Sequence, residues 1–268
     1  MIHSRSRART KYLVYGMAIV LTGINSSTNA MQAFQTSLDT TSSNLANAAT
    51  NAFKSRRVLF HDLLDTGPSY ASIGQGSGVS TIDRDFTQGK TTLTENDFDV
   101  AVQGQGFLSV LGPDGTIQYT RDGSFRLDND RKLVSSDGLF VQPPMTFPAD
   151  VTSTQIGSDG VVSVLTTSSP DTPIVLGQLR LTKFNNPQGL GVVGNNRFVA
   201  TDSSGLPLTN LPETNGLGSI QQRSLEQSNV DNTTEITRLV NASRNYVANS
   251  RALKIEDKFI EGALSLIA

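Results

Sequence analysis

The sequence predicts an α+β chain, with a helix at each terminus, the two paired as a coiled coil, around an all-β middle resembling a barrel or sandwich. Three observations predict it. Apolar residues recur every seventh position near both termini, the period changes to two between them, and Asp-Gly pairs punctuate that middle. The division that follows is 1–16, a basic extension; 17–54, the first helix and a corner; 55–98, a connecting extended segment; 99–222, the β-rich domain; and 223–268, the second helix.

In the first helix Met17, Ile24, Met31, Leu38 and Leu45 lie seven apart, and Phe34 occupies a second position of the same seam. A repeat of 3.5 keeps one stripe facing a partner as a left-handed supercoil winds. Upstream, His3, Arg5, Arg7, Arg9 and Lys11 precede an apolar run over 12–21, and Thr28-Asn29-Ala30 is an acceptable cleavage site, so this stretch also has the parts of a secretory signal peptide. Periodicity that continues past that site favours the helix, with 1–16 as an extension or Met17 as the true start. In the last helix Leu239, Tyr246, Leu253, Ile260 and Ile267 keep the same interval, widened by Ile236 and Leu264. Asp231 is placed to cap its start.

Between them, Val100 and Val102, then Phe107-Leu108-Ser109-Val110-Leu111, read as strands. Further strands are expected at 117–121, 124–127, 139–141 and 161–164. The pairs Asp114-Gly115, Asp122-Gly123, Asp137-Gly138 and Asp159-Gly160 are hairpin signals, because glycine supplies the positive φ such turns need. Pro143, Pro144 and Pro148 end one strand group. Strands over 174–183 and 197–201 follow, and 202–222, rich in Ser, Gly, Pro and Asn, reads as a linker.

Composition excludes several kinds of chemistry. With no cysteine in 268 residues there are neither disulfides nor thiolates, and a net charge of -2 gives no field for nucleic acid. No apolar stretch reaches the ~18 residues that span a bilayer. Gly104-Gln105-Gly106 lacks the third glycine of a dinucleotide loop, since Ser109 stands there, and strand rather than helix follows. Asp128, Asn129 and Asp130 begin like a calcium loop, but Arg131 and Lys132 come next and Leu139 holds the place of its closing glutamate. His3 and His61 are the only histidines, too few for a zinc site and without a companion for a serine triad. Glu95, Asp97 and Asp99 at a strand start read as solvating carboxylates rather than a glycosidase pair. The expectation is a non-enzymatic chain with no metal and no cofactor.

Three segments carry a family resemblance. Ser43-Asn44-Leu45-Ala46-Asn47-Ala48-Ala49-Thr50-Asn51-Ala52-Phe53-Lys54 resembles the N-terminal signature of bacterial flagellar rod and hook proteins, with Ala52 where glycine is usual. Asp99-Val100-Ala101-Val102-Gln103-Gly104-Gln105-Gly106-Phe107, continued by Tyr119-Thr120-Arg121-Asp122-Gly123-Ser124-Phe125, is the second. Leu225-Glu226-Gln227-Ser228-Asn229-Val230-Asp231 is the third. Within the family, 139–143 and 184–190 look most like members of the distal rod; a proximal rod or hook position is the alternative, and a secreted β-rich adhesin or a wall hydrolase the rivals from other classes.

The resemblance implies a structural subunit that polymerises with copies of itself into a hollow helical shaft transmitting torque to the hook. It implies further partners: other rod proteins, hook protein, periplasmic and outer-membrane ring proteins, a rod cap and the flagellar type III export apparatus, with a location in the basal body across the periplasm. The expected assembly interface comprises Ile24, Met31, Phe34, Leu38, Asn44, Leu45, Asn47 and Phe53 from the first part, and Ile236, Leu239, Tyr246, Leu253, Ile260 and Ile267 from the last.

Overall fold

A computed structural model describes residues 2–63 and 76–265 of the chain, with side chains described from residue 22 onward and not at 263 and 264. It divides into two compact units. The first contains α1 (Ile2–Ala46), β1 (Arg56–Asp62), most of β2 (Ser77–Arg84) and the last helix, α2 (Asn232–Ser265). The basic extension is no separate tail: α1 runs through it without a break. Asp231 caps α2, its carboxylate accepting from the Thr234 amide at 2.7 Å while its carbonyl accepts from the Glu235 amide. Hydrogen bonds from Thr234 hold that carboxyl below its ordinary pKa. β1 and β2 pair with each other, so the expected connecting segment contains a two-stranded sheet.

The second unit takes residues 47–55 and 84–230. Its strands are β3 (Thr91–Leu93), β4 (Val100–Gln103), β5 (Leu108–Leu111), β6 (Ile117–Thr120), β7 (Phe125–Leu127), β8 (Leu133–Ser135), β9 (Phe140–Gln142), β10 (Val151–Ile156), β11 (Val161–Thr166), β12 (Ser169–Gln178), β13 (Leu181–Lys183), β14 (Gly191–Gly194), β15 (Arg197–Val199), β16 (Leu208–Asn210), β17 (Ser219–Gln222) and β18 (Ser224–Glu226). Seven form one sheet in the order β14-β15-β6-β5-β9-β8-β7, three form β10-β11-β12, and β13-β16, β17-β4 and β18-β3 are two-stranded ladders.

No barrel closes among the described residues; the seven-stranded sheet keeps β14 and β7 as edges. Its strands are three or four residues long, and the prolines after β9 lack the N–H that would extend the ladder. The strand expected over 174–183 is two, β12 and β13. The expected linker 202–222 holds β16 and β17, whose pairing with β13 and β4 its polar composition did not disclose.

Two clusters form the core of this unit. One gathers Val100, Val102, Leu108, Val110, Phe125, Phe147, Val162, Leu181 and their neighbours. The other is aromatic, with Phe107, Tyr119, Phe184 and Phe198 meeting edge to face. Three of the four Asp-Gly glycines have the positive φ of a tight turn: Gly115, Gly138 and Gly160. Gly123 does not. It is glycine because a Cβ there would lie 1.8 Å from the Val100 carbonyl oxygen, while its own carbonyl accepts the Val100 amide.

Candidate assembly interface

In the helical unit, Asn44 sits on the last turns of α1 and is 0% exposed. Its side-chain amide donates to the Arg56 carbonyl (2.7 Å) and to Glu235 Oε2 (3.1 Å), and its carbonyl accepts the Arg56 amide (2.9 Å). Helix, strand and second helix are thereby joined by one side chain with donors and acceptor both in use. Glu235 Oε1 accepts from Arg238 one turn on, so this buried carboxylate is satisfied on both oxygens.

The helices run antiparallel. Asn44 meets Glu235, Gly23 lies under Glu256, and equal lengths of helix separate the two contacts. At Gly23 the approach is close enough that an added Cβ would come 2.6 Å from Glu256 Oε1.

Among the described residues, the buried positions of this unit's helices are small or polar: Ser27, Ala33, Thr40, Thr41 and Asn44 on α1, Glu235 and Ala242 on α2. The Thr40 hydroxyl is satisfied locally by the Thr36 carbonyl. The apolar residues expected to form the seam are less covered. Ile24, Met31, Phe34, Leu38, Leu45, Leu239, Tyr246, Leu253 and Ile260 are half-buried, and Ile236 is exposed. Ile267 lies outside the described residues. Along the outer side of α2, Val240, Val247, Ile255 and Phe259 are exposed by 41, 43, 55 and 66%.

In the β-rich unit the corner 47–55 is braced from several directions. Asn47 accepts from Thr50 through both its backbone and its side-chain oxygen. Phe53 is buried, its carbonyl accepting the Asn229 amide. Asn229 closes the corner: its side-chain oxygen accepts the Ser55 amide at 2.7 Å, and its NH2 donates to the carbonyls of Asp85 and Thr87.

Ala52, where the family signature has glycine, has φ 55° and is almost fully buried. The left-handed backbone costs a side-chain-bearing residue about 1–2 kcal/mol, and the buried methyl returns about 0.8 kcal/mol. Ala52→Gly is therefore expected to change unfolding free energy by less than about 1 kcal/mol, the looser unfolded chain cancelling what remains. Thermal melts of the two proteins check this.

Beside that corner Lys54, Glu226 and Arg121 form a buried charged triad. Lys54 Nζ donates to Glu226 Oε1 at 2.6 Å and to the Thr87 carbonyl at 2.7 Å; both side chains are 0% exposed. Glu226 Oε1 also accepts the Gly89 amide, and Oε2 faces Arg121 at 3.5 Å. Arg121 donates to the carbonyl of Gly104 at 2.8 Å and lies over the Phe107 ring. Burial lowers the Lys54 pKa despite the opposing pull of Glu226, and lowers that of Arg121 likewise.

Each of the three motifs thus contributes one charged residue, and the fold brings the three together. Charged residues inside motifs that become core were the available signal; that these three meet was not legible in one dimension. Elsewhere, His61 is exposed, Asp97 pairs with Arg223, and Asp99 accepts from Asn96. Among the described residues no cluster of three or more His, Asp or Glu side chains is placed to hold a metal.

Comparison with known proteins agrees over most of the chain. Residues 24–54 match the family described as flagella basal body rod protein, 101–164 the flagellar hook protein FlgE/F/G D1 domain, and 221–266 the flagellar basal body rod FlgEFG protein C-terminal. The flagellar basal-body rod protein FlgG of Borreliella burgdorferi is 37% identical over 248 residues, covering 87% of this chain and 93% of that protein. FlgG of Bacillus subtilis is 33% identical over 265 residues, covering 92% and 99%. The flagellar hook protein FlgE of Escherichia coli is 38% identical over 111 residues, or 41% of this chain and 27% of that one. With all three motifs matched in order and similarity over nearly the full length of several rod proteins, this chain belongs to the flagellar basal-body rod family.

Proposed function

We infer that the chain is a structural subunit of the distal part of the flagellar basal-body rod, and that it polymerises with copies of itself. The observation that carries polymerisation is the row Val240, Val247, Ile255 and Phe259, which a single copy leaves in water. A heterologous contact repeated from copy to copy without closing generates a helical filament. In that filament the half-buried stripes of both helices, with Asn44, Asn47 and Phe53 at the corner, are the interface, and neighbouring pairs supercoil as a coiled coil. The product is a hollow shaft crossing the periplasm, carrying torque to the hook.

Other rod proteins and hook protein adjoin it at its ends, ring proteins surround it, a cap attends its growth and type III export delivers it. Similarity to rod proteins over nearly their full length, against 27% of the hook protein, supports the rod position. The test is immunogold electron microscopy of basal bodies isolated from cells carrying an epitope-labelled copy. Label is expected along the rod between the rings; label confined to hook or filament, or absent from the basal body, contradicts the reading.

A further inference from the structure

The helical unit has an open groove of about 300 Å³. Phe34 and Phe60, with ring centroids 6.0 Å apart, and Val58 give it an apolar floor, and Arg56, Arg57 and Arg238 bring guanidinium groups to it. Its one carboxylate, Glu235, is already satisfied by Arg238 and Asn44. Two of the cations keep donors to spare. The Arg56 guanidinium donates to Ser43 Oγ but its Nε–H is buried without a partner, and the Arg57 side chain is exposed and makes no bond among the described residues. A buried unpaired donor costs stability unless an acceptor arrives. The groove is therefore short of acceptors beside an apolar floor, and its natural occupant carries carboxylates around an aliphatic side chain.

One segment of the chain has that chemistry. Between residues 198 and 222 there is no Lys or Arg, while Asp202 and Glu213 are exposed. Leu206, Leu208 and Leu211 are exposed by 84, 48 and 38%, and Leu206 is the most exposed large apolar side chain among the described residues. Pro207 and Pro212 stiffen the segment, which lowers the entropy lost when it docks. An exposed leucine in a cation-free segment needs a cover that offers apolar contact and positive charge.

We propose that the Leu206 segment of one copy docks in the Phe34–Phe60 groove of a second copy, Leu206 against the aromatic floor and carboxylates toward Arg56 and Arg57. This names a contact within the polymer and rests on the rod reading above. Because groove and arm are different segments of the chain, each copy offers its arm to one neighbour and its groove to another, and the contact repeats head to tail.

The absence of native cysteine makes the contact trappable. In the otherwise unaltered full chain, Asn245→Cys at the groove and Pro207→Cys beside the leucine are combined and the protein is oxidised. A ladder of covalent multimers is expected, because a disulfide forms only when Cα atoms come within about 7 Å. Each single variant should stop at dimers. Adding Leu206→Asp should weaken the ladder about tenfold or more, from loss of one buried leucine and an added charge. A cross-linked monomer alone, no ladder, or a ladder indifferent to Leu206→Asp overturns the proposal. The same Leu206→Asp chain expressed in cells separates the two readings. Rods of normal length containing it overturn this contact and leave the rod assignment standing, whereas absence of the unaltered chain from basal bodies removes both.

Discussion

Glu226→Gln is expected to lower the unfolding free energy by about 3–5 kcal/mol, the range for removing one partner of a buried ion pair. Glutamine keeps the shape and can still accept from Gly89, so the loss comes from charge. Lys54 is left fully buried with no anion in contact, and Arg121 loses its counter-charge. The deficit has a pH signature. Burial already holds the folded Lys54 below its ordinary 10.5, with Glu226 opposing the shift; without Glu226 the folded value falls further. Where the unfolded chain binds the proton and the folded chain does not, stability rises with pH. The variant's deficit is therefore largest near neutral pH and shrinks as pH rises toward 10.5. Denaturant titrations at several pH values measure it. In a cycle with Lys54→Met, the double variant should lose less than the sum of the singles, because the unpaired charge is gone.

Gly123→Ala is expected to be comparably severe, at about 3 kcal/mol or more, the upper range for overpacking a rigid site. The added methyl would stand 1.8 Å from the Val100 carbonyl oxygen and 2.8 Å from its carbon, and backbone on both sides leaves nothing to rotate away. Separating the segments breaks the Val100–Gly123 hydrogen bond at the edge of the main core cluster. Gly115→Ala is the control. Its φ is +78° but nothing lies within 4 Å of the new Cβ, so only the backbone cost of about 1 kcal/mol applies. If both variants melt alike, crowding at Gly123 is not the reason for glycine there.

The two glycines show why part of the fold was legible. Local chemistry is written locally: Asp114-Gly115 became a tight turn, Asp231 capped α2, and the seven-residue repeats became helices. What depends on a distant segment was not. Gly123 looks like its three Asp-Gly counterparts, and only the approach of Val100 gives it a different reason to be glycine. The polar stretch 202–222 hid two strands because the partners that hydrogen-bond them, β13 and β4, lie outside it in sequence.

The helices give the same lesson for the interface. Apolar periodicity pointed to stripes that a single copy leaves half-buried, while small polar residues such as Ser27, Thr41 and Asn44 occupy buried positions between α1 and α2. Threonine that satisfies its hydroxyl on its own helix costs little to bury, and hydrophobicity alone does not register it. Of the buried triad, the residues were visible and their meeting was not.

Helical reconstruction of the isolated rod by electron cryo-microscopy tests the polymer most directly. The expected map has α1 and α2 of many copies forming the wall of the tube, with Val247, Ile255 and Phe259, uncovered in one copy, buried against neighbouring helices. A rod whose copies touch only through their β-rich units, with that row still facing water, contradicts it.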